Sequence, residues 1–283
     1  AGKTTLISML ATLLKPTQGT AMVNGYDIRK DSDKVRRSIG IVFQDPSSDD
    51  VLTGRENLYL HALMYGVSSQ LRKQRIDEVL RLVGLKERAD GIVKTYSGGM
   101  RRRLELARGL LHHPRVLFLD EPTLGLDPQS REHVWEYIID LAKREHITIL
   151  LTTHYMEEAD SLCDRVAIID EGRIIALDTP DNLKRLLGGD IICITTRSKD
   201  TPLLSDLPYV HKVERSNGTF ILTVENAAKH LPEILSRVAD VSSVETRSPT
   251  LNDVFLHYTG KQIREDAPEG GWVSRVVRSR ARG

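Results

Sequence analysis

Apolar residues follow two rhythms along this chain. Short unbroken runs, Ile39-Gly40-Ile41-Val42-Phe43, Val116-Leu117-Phe118-Leu119 and Ile147 to Leu151, predict strands buried on both faces of a sheet. Between them apolar residues recur at helical spacing: Ile76, Val79, Leu80 and Val83, then Met100, Leu104, Ala107 and Leu111, then Val134, Ile138 and Leu141. Boundary residues agree with that division. Thr53-Gly54-Arg55-Glu56 reads as a capping box opening a helix to about Tyr65, Gly84 as a stop, and Ser97 as an N-cap. Residues from about 47 to 112 thus form a helical insertion between strands. A helix opening at Glu157-Glu158-Ala159-Asp160 and a strand over Arg165 to Asp170 continue the alternation, which predicts a parallel α/β sheet with right-handed crossovers. Thr20 to Ile28 reads as a hairpin about Asn24-Gly25.

After Gly188-Gly189 the rhythm changes. A strand at Ile191 to Thr196, a hairpin about Asn217-Gly218, a helix over Asn226 to Val238, a strand-like Val241 to Thr246 and a short helix over Pro249 to Tyr258 predict a small α+β domain. Ala267 to Gly283 reads as a flexible tail, and its Arg275, Arg278, Arg280 and Arg282 read as solvated.

Composition narrows the class. At 283 residues and 40% hydrophobic content the chain can build one large domain or a domain with a smaller companion. A net charge of +1 makes no case for nucleic acid. Cys163 and Cys193, without a CxxC spacing, point to a reducing compartment and to neither a disulfide framework nor a zinc site. No apolar run approaches the roughly 18 residues of a membrane span. Leu6 to Leu14 behind Lys3 imitates the start of a signal peptide, but Gly-Lys-Thr-Thr precedes it and Lys15-Pro16 follows, so a phosphate-binding loop entering a helix is the better reading.

Candidate chemistry lies where the strands end. Asp120 and Glu121 follow the 116–119 run, and Pro122 forces the chain out of the sheet. Ligands gather beyond the carboxyl ends of parallel strands, where two acids suit a divalent cation and a water to be activated. Alone, the pair reads equally as a solvated acidic turn. Gly2-Lys3-Thr4-Thr5 is the tail of G-x-x-x-x-G-K-[ST], which turns backbone amides toward phosphates, though so short a fragment also occurs at ordinary helix starts. Gln44 after one strand and His154 after another are loop and structural residues or contacts to a metal, water or phosphate. Ser97-Gly98-Gly99 opens a helix with its amides bare to an anion, and Arg101 to Arg103 read mostly as a solvated helix face.

In this order and setting, residues 1–187 resemble the ATP-binding cassette of ABC transporters. The resemblance implies a P-loop NTPase-type, mostly parallel sheet with a helical signature subdomain at about 47–112, followed by the small α+β accessory domain at 188–260 and the tail at 261–283. It implies ATP and Mg2+ as ligands, with Gly2, Lys3, Thr4 and Thr5 at the phosphates and Thr4, Gln44 and Asp120 at the metal. Glu121 would be the general base, with Gln44 and His154 beside the attacking water and the γ-phosphate. Ser97, Gly98 and Gly99 would cap ATP bound to an opposing copy, and Asp127 would lie at the dimer seam.

Met100 departs from the glutamine usual after SGG. With Thr-Thr-His-Tyr-Met-Glu-Glu-Ala and Pro-Thr-Leu-Asn-Asp-Val-Phe, it narrows the resemblance to cassettes similar to daunorubicin-resistance exporters, which serve a separate transmembrane permease at the cytoplasmic face of the cell membrane. The first half of the phosphate loop, the strands before it and the aromatic that stacks on adenine are absent, so the sequence is expected to be a fragment. A non-transport cassette and a catalytically silent subunit are the competing readings. The cargo, expected to be a drug, antibiotic or lipid-like molecule, is not legible in the residues.

Overall fold

Helix α1 (Lys3–Leu10) leads into a hairpin of β1 (Met22–Val23) and β2 (Tyr26–Asp27), helix α2 (Ser32–Ser38) and strand β3 (Ile39–Val42). The computed structural model describes residues 2–197, 204–216 and 218–260. These fall into two compact units, one ending at His154 and the other starting at Tyr155. The hairpin turns on Asn24 and Gly25, both at positive φ, the backbone such a tight turn requires. Ile7, Ala11, Val23, Ile28, Val35, Ile39 and Phe118 close into one buried cluster that seats α1 against the sheet.

Helices fill the stretch that follows. Thr53 caps α3 (Gly54–Met64) in a reciprocal box with Glu56, α4 (Ser69–Leu82) ends before Gly84 at positive φ, and Ser97 caps α5 (Gly98–Leu110). Helix α5 then feeds β4 (Val116–Asp120), α6 (Pro128–Glu145) and β5 (Thr148–Thr152). Strands β3, β4 and β5 form a parallel sheet with β4 central, Val42 opposite Leu119 and Asp120 opposite Thr152. Glycine at position 40 is a packing necessity, because a Cβ there would lie 2.1 Å from the carbonyl oxygen of Gly109. That contact lets α5 press directly on β3.

One strand departs from expectation. Ile149, Leu150 and Leu151 of β5 are half-buried rather than buried on both faces, because among the described strands β5 pairs with β4 alone.

The second unit holds α7 (Met156–Leu162), β6 (Val166–Asp170), β7 (Arg173–Asp178), α8 (Pro180–Arg185), β8 (Asp190–Thr196), β9 (Val210–Ser216), β10 (Thr219–Val224), α9 (Ala227–Ser236), β11 (Val241–Arg247) and α10 (Leu251–Thr259). Strand β6 does not extend the parallel sheet. It pairs antiparallel with β7 in a two-stranded ribbon, since the two-residue turn at Glu171 and Gly172, both at positive φ, folds the chain straight back. The remaining strands make an antiparallel sheet ordered β11-β8-β10-β9, with Ile192, Ile194, Phe220 and Leu222 packed against Ile234 of α9. Asn217 of the predicted hairpin and the 261–283 tail lie outside the described residues.

Candidate active site

Asp120 and Glu121 stand where the central strand leaves the sheet, and a neighbouring threonine holds both. Thr152, opposite Asp120 on β5, donates its hydroxyl to Asp120 Oδ1 at 2.5 Å. The Glu121 amide donates in turn to the Thr152 carbonyl at 3.0 Å and reaches its hydroxyl at 3.3 Å. Glu121 itself adopts φ 50, the left-handed region that a glutamate rarely occupies. Strain of this kind persists only where surrounding contacts over-determine it, and here it turns the Glu121 side chain away from the direction β4 would impose.

A lysine and a histidine meet that carboxylate. Lys3 Nζ lies 3.1 Å from Oε1 and donates to the Thr153 carbonyl at 2.7 Å, while His154 Nδ1 lies 2.7 Å from Oε2. The three side chains are 29%, 22% and 12% exposed for Lys3, His154 and Glu121, so the cluster is reachable from solvent yet shielded enough for charge to count. Thr4 Oγ1 approaches Asp120 Oδ1 at 3.4 Å. Gly2 precedes α1 at φ 91 and no side chain caps the helix, so the first-turn amides of Lys3, Thr4 and Thr5 remain open to an anion.

This donor set fits a phosphate chain with magnesium. Among the described residues no group of three or more His, Cys, Asp or Glu forms a closed metal cage. Magnesium is held instead by one or two carboxylates together with substrate phosphates, and the Thr4 hydroxyl beside Asp120 offers that partial set of hard oxygen ligands.

Other candidate residues stand apart. Gln44 is half-buried and lies, like Glu121, two residues past the last β3–β4 pair, Val42 with Leu119, at the same sheet end. Ser97 caps α5 through the Met100 amide at 3.3 Å, and Gly98 and Gly99 leave room for Leu126 and Ser130. Among the described residues no hydrogen bond joins Ser97 to Lys3, Thr4 or Glu121. Asp127 caps α6 through the Ser130 amide at 2.9 Å, and the Ser130 hydrogen bonds hold its carboxyl below the usual carboxylate range.

The arginines of α5 are not a solvated face. Arg101 pairs with Asp50, Arg103 donates to the Val83 carbonyl and to the Tyr137 hydroxyl, each at 3.2 Å, and Arg102 is 6% exposed with its guanidinium on backbone carbonyls. The reason is the position of α5, which packs on β3, α4 and α6 at once and leaves little surface for solvent. Arg102 and Thr152 are the two site residues that sequence reasoning missed. The one available signal was the unbroken run of three arginines on a helix whose other positions are mostly apolar.

Comparison with known proteins identifies the family of the chain. The ABC transporter family profile matches residues 1–124, and that of the DrrA1-3-like ATP-binding protein C-terminal domain matches residues 179–259. The linearmycin resistance ATP-binding protein LnrL of Bacillus subtilis is 38% identical over 275 residues, covering 94% of this chain and 88% of the relative. The daunorubicin/doxorubicin resistance ATP-binding protein DrrA of Streptomyces peucetius is 40% identical over 279 residues, covering 95% and 84%. Among solved structures, cbiO1 from Clostridium perfringens, part of the ABC transporter complex cbiONQ, matches 66% of this chain and 77% of its own at a TM-score of 0.60 and 31% identity. The chain therefore belongs to the ABC transporter family of ATP-binding, ATP-hydrolysing cassettes, in the group that carries a DrrA-like C-terminal domain.

Proposed function

We propose that this chain powers export of a drug, antibiotic or lipid-like cargo by hydrolysing ATP against a separate transmembrane permease, at the cytoplasmic face of the membrane. The observation that carries the reading is Glu121 held between Lys3 and His154 at the carboxyl end of the parallel sheet. In this reading Lys3 and the bare amides of α1 receive the phosphates, and Thr4 and Asp120 hold magnesium, with Gln44 reaching the same place from β3. Bound magnesium supplies neutralisation of the phosphate charge. Glu121 accepts a proton from the water that attacks the γ-phosphorus, and the electron pair of the broken bond leaves on the β-phosphate oxygen of ADP. His154 orients Glu121 and meets the γ-phosphate.

The site is read as completed by a second copy, whose Ser97, Gly98 and Gly99 cap the nucleotide and whose Asp127 lies at the seam. Among the described residues no helix is long and apolar enough to cross a membrane, in keeping with a separate permease. A patch on α3, with Tyr59, Leu60, Leu63 and Met64 from 45% to 80% exposed, suits docking against it. The cassette is taken to run to about residue 187 and the accessory domain from 188 to 260.

Phosphate release by the full-length protein with Glu121→Gln tests the base. Loss of turnover by about 10²-fold or more with ATP binding retained is expected. Unchanged hydrolysis would remove Glu121 from that role.

A further inference from the structure

Two buried arginines around helix α5, one on α4 and one on α5, both donate to backbone carbonyls, and they do different work. Arg75, from α4, serves the far end of α5: its Nε donates to the Leu111 carbonyl at 2.9 Å and an Nη to Leu110 at 2.7 Å. Those carbonyls are the orphan acceptors that any helix C-terminus leaves, so Arg75 is a cap supplied by a neighbouring helix. Arg102, from α5 itself, reaches out of its helix. Its Nε donates to the Pro122 carbonyl, one Nη to Phe43 at 2.5 Å and the other to Asp120 at 3.2 Å.

Those three carbonyls bracket the chemistry. Phe43 precedes Gln44, and Asp120 and Pro122 flank Glu121 on either side. Phe43 and Pro122 lie beyond the last pairs of β3 and β4, and Asp120 lies beyond the last β3–β4 pair, so these carbonyls take a donor from elsewhere. A guanidinium presents its N–H groups in a rigid planar fork and spans acceptors on separate segments, whereas an ammonium radiates its donors from one point. Arg102 also sits just under one turn after Gly99, the last residue of Ser97-Gly98-Gly99, on the same helix.

We infer that Arg102 is a positioning residue that ties the helix bearing the signature loop to the two strand ends bearing Gln44 and Glu121. A shift of α5, as when Ser97 to Gly99 engage a nucleotide, moves the guanidinium and with it the backbone on both sides of the base. The inference rests on the reading of Glu121 and of Ser97 to Gly99 given above. It adds a residue that acts through the backbone it holds.

The test compares Arg102→Lys and Arg102→Gln with Arg75→Lys and Glu121→Gln in the full-length protein, each assayed well below its own melting temperature. For Arg102→Lys we expect kcat to fall by on the order of 10²-fold, the effect of a small misplacement of reacting groups, while the Kd for ATP changes less than about threefold. Arg75→Lys, which loosens the same helix away from the strand ends, lowers Tm and leaves kcat within about twofold of wild type. Wild-type kcat in Arg102→Lys, or an equal loss of kcat in Arg75→Lys, overturns the inference. Failure of both Arg102 variants to fold also overturns it, in favour of a purely structural role. An error in the base assignment appears separately, as hydrolysis surviving in Glu121→Gln.

Discussion

His154 Nδ1 lies 2.7 Å from Glu121 Oε2, and Lys3 occupies the other carboxylate oxygen. The carboxylate therefore engages both side chains that the proposed function directs at phosphate. In the proposed function an incoming phosphate would compete with Glu121 for these side chains and would free its carboxylate for the attacking water.

His154→Ala accordingly lowers kcat by about 10²-fold, the scale of a lost proton-transfer or orienting partner, while the Kd for ATP moves less than about tenfold. Steady-state phosphate release together with equilibrium nucleotide binding checks this. A weakened Kd at intact kcat would reduce His154 to a binding contact.

Thr152 is the shared support of both acids, donating to Asp120 and receiving the Glu121 amide. Thr152→Val keeps shape and removes the hydroxyl, leaving a carboxylate oxygen with one fewer donor. A loss of about 1–3 kcal/mol in stability is expected from chemical denaturation, and half-maximal activity should require more magnesium. Wild-type magnesium dependence would show that the hydroxyl does not hold Asp120 in its working geometry.

Asp127 combines a cap with a proposed seam contact, and one pair of variants separates them. Asp127→Ala removes the cap of α6 and lowers the melting temperature, whereas Asp127→Ser restores a capping oxygen without the charge. Thermal melting should therefore recover in the serine variant. ATP-dependent dimerisation, followed by light scattering, should stay impaired in both if the carboxylate lies at the seam.

His61 gives the helical subdomain a pH dependence. Burial, reinforced by the nearby charges of Arg108 and His112 and opposed by Glu105, pushes its pKa down from 6.5 to about 4. Below pH 6.5 the unfolded chain takes up a proton that the folded chain excludes, so this contribution is complete above 6.5 and is lost as pH falls toward 4. The full effect is roughly 3 kcal/mol. His112, lowered chiefly by its own burial, acts in the same direction. Because His61 Nδ1 is buried without a hydrogen-bond partner among the described residues, His61→Leu sacrifices little and should flatten the decline in urea midpoint between pH 6.5 and 4.5. An unchanged slope would assign the pH dependence to other groups.

Local features were legible because their partners are near in sequence. The Thr53–Glu56 box, the Ser97 cap and the Asn24-Gly25 turn each close within three residues, and all three form as read. Weakly patterned elements escaped. Helix α2 buries only Val35, and β7, with Arg173 and Ile174 exposed, shows no alternation that would mark a strand. The contacts of Arg102 escaped for a different reason: they span 18, 20 and 59 residues, and no spacing rule links an arginine on a helix to carbonyls that only the fold brings within reach.

The sequence by itself determined the residue types and their order: Lys3 at a helix start, Asp120 and Glu121 after a buried run, Ser97-Gly98-Gly99 at a cap, His154 after a strand. These follow from periodicity and capping, which are properties of neighbouring residues. Only the tertiary structure decided that Lys3 and His154 share one carboxylate, that Glu121 sits at positive φ, and that an apparent surface arginine is a buried clamp on the strand ends. Each of those depends on parallel strand register and on the close approach of α5 to β3. The physical reason is that buried donors and acceptors must find partners wherever the folded chain places them, however far apart they lie in sequence.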